Sequence, residues 1–216
     1  MKYKILPLLF IIVGFLFLIS PSVKNYLISD MSQQSYENLK IQNDMTTSLK
    51  QAKNIGEINF VSERDVLKAW LTEVNNEGIG LIAIPSVGLK LPIFRETTNT
   101  NLLKGAGLLN DEFYGFNKGN VILTGHHMKK EGLLFQPLMK LKEGEKVYIK
   151  DQKKVYVYQI EKNFVINEKD TTILSNDYNG LTLITCDVPT PTKNRIIFQG
   201  KLIKEGKKEE MKRVFE

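Results

Sequence analysis

The apolar positions of this chain fall into three successive textures. Residues 5–20 (ILPLLFIIVGFLFLIS) form an uninterrupted run without a charge. As a helix this run is about 24 Å long, and extension through residues 21–23 brings it near the ~30 Å hydrocarbon core of a bilayer. Pro7 falls in the first turn, where its missing N–H costs little. Lys2 and Lys4 precede the run, so the positive-inside rule leaves the N-terminus in the cytoplasm. The Ser-Pro-Ser at positions 20–22 is a poor cleavage site because of its proline. The pattern predicts a cytoplasmic end at residues 1–4, an uncleaved single-pass membrane anchor at residues 5–23, and an extracellular remainder.

Residues 24–77 are polar and mixed, with few core-forming positions, and read as a partly helical stalk. Within them SERDVLKAWLTEV (62–74) has Ser62 as a plausible N-cap with Asp65 three residues on. Val66, Leu67, Trp70, Leu71 and Val74 recur at helical spacing, which predicts an amphipathic helix packed by that stripe. The NNEGIG that follows ends it.

From residue 78 the texture changes to short β-rich runs between turns. Strands are predicted at GLIAI (80–84), KLPIF (90–94), NVILTG (120–125), KVYIK (146–150), KVYVYQIEKNFVI (154–166), LTLITC (181–186) and RIIFQGKLI (195–203). Two short helical pieces interrupt them, NTNLLKGAG (99–107) and LLFQPLMKL (133–141). Many short, regularly spaced strands imply a mainly β fold, a sandwich or barrel. Residues 78–204 form one β-rich domain, and residues 205–216 read as a solvated, frayed charge run.

Composition narrows the chemistry. With 42% hydrophobic and 25% charged residues among 216 the chain is globular. Its formal charge of +6 comes from scattered lysines, with no aromatics interleaved in an Arg-rich run, so nucleic acid is not an expected partner. One cysteine excludes an internal disulfide, and two adjacent histidines with one cysteine make no zinc pattern.

Three features at predicted strand ends remain: TGHHM (124–128), Cys186, and Arg195 nine residues later. A lone cysteine is often only a small buried hydrophobe, and a lone arginine often a solvated edge charge. Together, though, a thiol, an imidazole and a guanidinium suffice for acyl transfer through a thioester. The imidazole takes the thiol proton and returns it to a leaving amine, and the guanidinium supplies donors to an oxyanion. On an extended segment His126 and His127 face opposite ways, so spacing alone leaves open which of them serves.

LTLITC with Arg195 downstream, ILTGHHM, and the early run GLIAIPSVGLKLPIF resemble the class A sortases across residues 78–204. The resemblance implies a closed sortase β-barrel of seven to eight strands, with short helices and an N-terminal transmembrane helix. It implies that Cys186 is the nucleophile, His126 the general acid/base, and Arg195 the group that holds substrate backbone and stabilises the oxyanion. It places Thr185, Thr124 and Ile184 along the peptide groove and leaves His127 without a catalytic role. It further implies a cysteine transpeptidase that cuts an LPXTG-type sorting signal between Thr and Gly, through a thioacyl-enzyme. The protein is then passed to an amine of a lipid II-type cell-wall precursor at a Gram-positive membrane. The loop at residues 167–180 would shape the groove for the Leu-Pro part. No cofactor is expected. Some sortases bind calcium, but Asp111, Glu112, Glu168 and Asp170 are scattered here, with Lys118 and Lys169 nearby, and do not assemble the six or more oxygens needed. The alternatives are a hydrolytic or pilus-polymerising sortase and a non-catalytic module on a stalk.

Overall fold

The computed structural model describes residues 5–41, 61–71, 77–109, 113–175 and 177–216, with side chains from Ser20 onward. Residues 1–4, most of the stalk at 42–60, Val74 and the acidic pair Asp111 and Glu112 lie outside the described residues.

Eight strands close into a barrel: β1 (Gly80–Ile84), β2 (Leu89–Phe94), β3 (Ala106–Leu108), β4 (Asn120–Thr124), β5 (Lys146–Lys150), β6 (Lys154–Asn167), β7 (Gly180–Cys186) and β8 (Asn194–Lys207). Their order around the barrel is β8-β6-β5-β1-β2-β3-β4-β7, and β7 returns to β8. The pairs β2/β3 and β4/β7 are parallel, the others antiparallel. The seven strands expected from periodicity are all present. The eighth, β3, replaces the end of the predicted helical piece 99–107. There helix α3 covers only Asn99–Leu102, with Thr98 as its N-cap, and the chain then extends because β2 offers a parallel edge to Ala106 and Gly107.

The alternation of side chains along a strand sorts them into separate clusters. On β7, Leu181 and Leu183 join the main core with Ile82, Ile93, Leu123 and Phe198. Ile184, of opposite parity, joins a second cluster with Leu109, Ile122 and Ile197, covered by Ile173 and Leu174 of the β6–β7 loop. That loop is fastened by a buried amide. Asn120 Nδ2 donates to the carbonyls of Ile173 and Ser175, both at 3.2 Å, while its Oδ1 accepts from Thr182 Oγ1 at 2.7 Å.

The N-terminal part is more tightly built than a stalk. Helix α1 runs without a break from Ile5 to Glu37, through Pro21. Its positions 28, 31 and 35 recur at helical spacing, and Ile28, Met31 and Ser35 are buried against the barrel. Helix α2 (Glu63–Leu71) starts at the expected cap: Asp65 N–H donates to Ser62 Oγ at 3.2 Å, and Ser62 N–H returns to Asp65 Oδ2 at 3.3 Å. Its buried stripe differs from the expected one. Val66 and Ala69 are covered, whereas Leu67, Trp70 and Leu71 are 51%, 48% and 69% exposed. The helix lies against α1 with Val66 and Ala69 covered. Counting described side chains, no helix is long and apolar enough to cross a membrane.

The charge-rich end does not fray. β8 continues to Lys207, and a final turn of helix, α4 (Lys212–Phe215), tucks Phe215 against Leu81, Ala83 and Val155. Tyr36 of α1 donates its hydroxyl to the Phe215 carbonyl at 2.8 Å, which ties the end of the chain to the N-terminal helix. The charged side chains flanking Phe215 in sequence stay exposed while its ring is buried, so docking gains apolar burial without desolvating those charges.

Candidate active site

Strand register brings the three chemically active residues together. β7 and β8 are antiparallel and pair Cys186 directly with Arg195. Both side chains therefore leave the sheet on one face, in adjacent positions. The nine-residue interval is the length of the loop that turns β7 back into β8. β4 runs parallel to β7 with Thr124 beside Ile184, so two more residues carry His126 level with Cys186. The seam continues past the strand: Gly125 N–H donates to Ile184 O at 3.3 Å, and Thr185 Oγ1 donates to Gly125 O at 2.7 Å.

The backbone around the histidines is closely specified. A Cβ at Gly125 would lie 2.9–3.0 Å from the Phe135 ring, so only glycine admits that ring beneath the turn. Phe135 N–H donates to His126 O at 3.0 Å. The preceding Leu134 is held at φ 51°, a left-handed conformation that costs a leucine roughly 1–2 kcal/mol. The two histidines then diverge. His126 is 6% exposed. His127 is half-buried and its Nδ1–H donates to the Cys186 carbonyl at 2.8 Å, which fixes its tautomer and pins the backbone of the thiol.

His126, His127, Cys186, Arg195 and Glu168 line one cavity of about 400 Å³. Its far walls were not foreseen. They come from Pro21, Lys24 and Asn25 on α1, from Val61 before α2 and Glu63 at its start, and from the β7–β8 loop at residues 188–192. Lys24 Nζ donates to the Val61 carbonyl at 2.6 Å and locks α1 to that segment. The groove candidates behave differently. Thr124, Ile184 and Thr185 are fully buried, and the hydroxyls of both threonines serve the β4–β7 seam, Thr124 Oγ1 donating to Ile184 O at 3.2 Å. Ile184 lies in the apolar cluster beneath the β6–β7 loop and does not line the cavity.

Arg195 is 2% exposed and fully partnered along one side. NH2 donates to Glu168 Oε2 at 3.0 Å, and NH1 donates to the carbonyls of Thr192 (3.1 Å) and Asn194 (3.0 Å). Glu168 is thus an arginine partner, and Asp170 accepts from Thr172 Oγ1 at 2.6 Å. Among the described residues no three His, Cys, Asp or Glu side chains gather as a metal site.

The electrostatics describe a neutral resting pair. Burial pushes the Cys186 thiol up; Arg195 draws it back down, and Asp187 and Glu168 push it up further. Burial lowers His126 to about 4, with Asp65 opposing and Lys24 reinforcing. At neutral pH the site therefore holds a thiol and an uncharged imidazole. This has a consequence for stability. As pH falls from 6.5 toward 4, the unfolded chain takes up a histidine proton that folded His126 refuses, so the folded state loses ground and the loss levels off below about 4. Between pH 7 and pH 5 this one group should cost about 2 kcal/mol. Urea titrations of the wild type and His126→Gln at both pH values measure it. The variant should lack that component, and equal pH dependence in the two proteins would refute it.

Known proteins are similar to this chain in sequence and in fold. Residues 82–203 match the Sortase domain family. The chain is 34% identical over 211 residues to Sortase A of Listeria monocytogenes, an alignment that covers 96% of this chain and 94% of that protein. It is 31% identical over 211 residues to Sortase A of Streptococcus agalactiae, covering 94% and 85%. The crystal structure of Listeria monocytogenes sortase A superposes with a TM-score of 0.61 at 39% identity, covering 64% of this chain and 97% of that one.

Proposed function

The chain belongs to the sortase family of cysteine transpeptidases, and we propose that it cleaves an LPXTG-type sorting signal between Thr and Gly and transfers the threonine carbonyl to an amine of a lipid II-type cell-wall precursor. The observation that carries this reading is the convergence of Cys186, His126 and Arg195 on one cavity wall.

The chemistry follows from the resting state. Cys186 Sγ attacks the threonine carbonyl while His126 accepts the thiol proton, because neither partner is charged beforehand. The oxyanion develops beside Arg195, whose buried fork is already held in place before substrate arrives. The C–N bond then breaks, and His126 gives its proton to the departing glycine amine. An incoming amine repeats the sequence in reverse: it attacks the thioester, loses a proton to His126, and releases the thiol. These steps need no metal or organic cofactor. Ile173 and Leu174 of the β6–β7 loop, half-buried over the cluster of Ile184, Ile122 and Leu109, offer apolar surface for the Leu-Pro part of the signal.

In the same reading, residues 5–20 form the membrane anchor with Lys2 and Lys4 on the cytoplasmic side. Because α1 continues from that run into the cavity wall at Pro21 and Lys24, the site opens close to the outer membrane surface, where a lipid-linked amine is presented. The test is the product formed from an LPXTG peptide and a triglycine amine. The full chain should yield the peptide truncated after threonine and joined to triglycine. An unchanged peptide, or cleavage at another bond, would refute the reading.

A further inference from the structure

We propose that Glu168 is the positioning residue for Arg195, holding its guanidinium level with Cys186 on the cavity wall. This rests on the sortase reading and deepens it.

Three adjacent strands set the geometry. In the barrel order β6-β8-β7, Arg195 is flanked by Ile166 on one side and Cys186 on the other. Glu168 lies two residues beyond Ile166, where β6 passes into the loop before β7, so its side chain returns to the face that carries Arg195 and Cys186. Its carboxylate accepts from NH2 at 3.0 Å. Its backbone N–H donates to the Lys193 carbonyl at 2.7 Å, just before β8. Glu168 therefore grips Arg195 twice, by the guanidinium and by the chain that delivers it.

A cation 2% exposed needs such a grip. Without a matched anion a buried guanidinium is strongly unfavourable and swings to water. Asp187, next to Cys186, accepts at Oδ2 from Asn194 Nδ2 at 3.2 Å. The carbonyls of Thr192 and Asn194 hold NH1, but neutral acceptors do not balance its charge. Held in this way, the guanidinium lines the cavity in the position directly paired with Cys186. That is the arrangement required of a group that must meet an oxyanion without first reorganising.

Glu168→Ala and Glu168→Gln separate this role from loop packing. The alanine variant should lose about tenfold or more in kcat/KM for an LPXTG peptide. Glutamine, whose amide oxygen still accepts from NH2 but carries no charge, should lose less than alanine and remain below wild type. The Arg195→Ala/Glu168→Ala pair should be no worse than Arg195→Ala alone, because Glu168 acts through the arginine. A second readout needs no turnover, namely the pH dependence of Cys186 alkylation by iodoacetamide in the full chain. The charges facing the thiol are Arg195 on β8, Asp187 on β7, Glu168, the two histidines, and Lys24 and Glu63 across the cavity. Removing the Glu168 charge as glutamine should move the alkylation midpoint to lower pH, and Arg195→Ala should move it to higher pH. The proposal is overturned if Glu168→Ala turns over within threefold of wild type, if alanine and glutamine are equally damaging, or if the midpoint does not move in Glu168→Gln. If the wild type itself leaves the peptide intact, the substrate reading fails, and the alkylation midpoints alone decide the role of Glu168.

Discussion

Cys186→Ala should abolish cleavage of a sorting-motif peptide and leave the barrel folded. The thiol is the chain's single sulfhydryl, and no neighbour can be acylated in its place. The hydroxyl beside it, Thr185 Oγ1, is fully buried and donates to Gly125 O. Imidazole adducts at His126 would hydrolyse rather than accumulate, and that ring is nearly closed to solvent. The fold should survive because core packing on β7 is carried by Leu181 and Leu183, of the opposite parity. Cys186 sits half-buried at the strand end. Peptide turnover together with circular dichroism checks both halves. Turnover within tenfold of wild type would disprove the nucleophile assignment, whereas an unfolded variant would disprove the packing argument.

The second large effect distinguishes the adjacent histidines. His126→Ala should lose roughly 10³-fold to 10⁴-fold in kcat/KM, since both proton transfers pass through it. His127→Ala should lose only about fivefold, the equivalent of one hydrogen bond of about 1 kcal/mol. The bond in question is the one from Nδ1–H to the Cys186 carbonyl, which positions the thiol without touching the reacting atoms. The measurement is turnover of one peptide by each variant at pH 7. Equal losses, or a larger loss from His127→Ala, would reverse the assignment of the base.

The contrast between these histidines also marks how far the sequence could be read. Alternation said that they face opposite ways but not which way. The answer lies in the parallel register of β4 with β7, a pairing between segments sixty residues apart that leaves no local signal. The nine-residue interval from Cys186 to Arg195 was legible as a strand, a return loop and a second strand, and register made the two residues direct neighbours. Strand β3 was hidden because KGAGL breaks at glycines and spans three paired residues, too short for periodicity. The cavity walls from Lys24, Asn25 and Val61 were hidden for another reason. They belong to a polar stretch in which two serines, Ser32 and Ser35, are buried together with Ile28 and Met31 and Lys24 is half-buried, so hydrophobic patterning reads it as a stalk. Glu168 entered the sequence reading only as a possible metal ligand, since a glutamate 27 positions from its arginine has no spacing signature.

The central claim is that Cys186 carries the substrate as a thioester. Intact-mass measurement of the full chain mixed with an LPXTG peptide, in the absence of an acceptor amine, tests it most directly. The account predicts an adduct equal in mass to the peptide acylated through its threonine, located on Cys186, removed by hydroxylamine and absent from Cys186→Ala. Cleavage of the peptide with no such adduct at any time point, or an adduct that survives in Cys186→Ala, would contradict it.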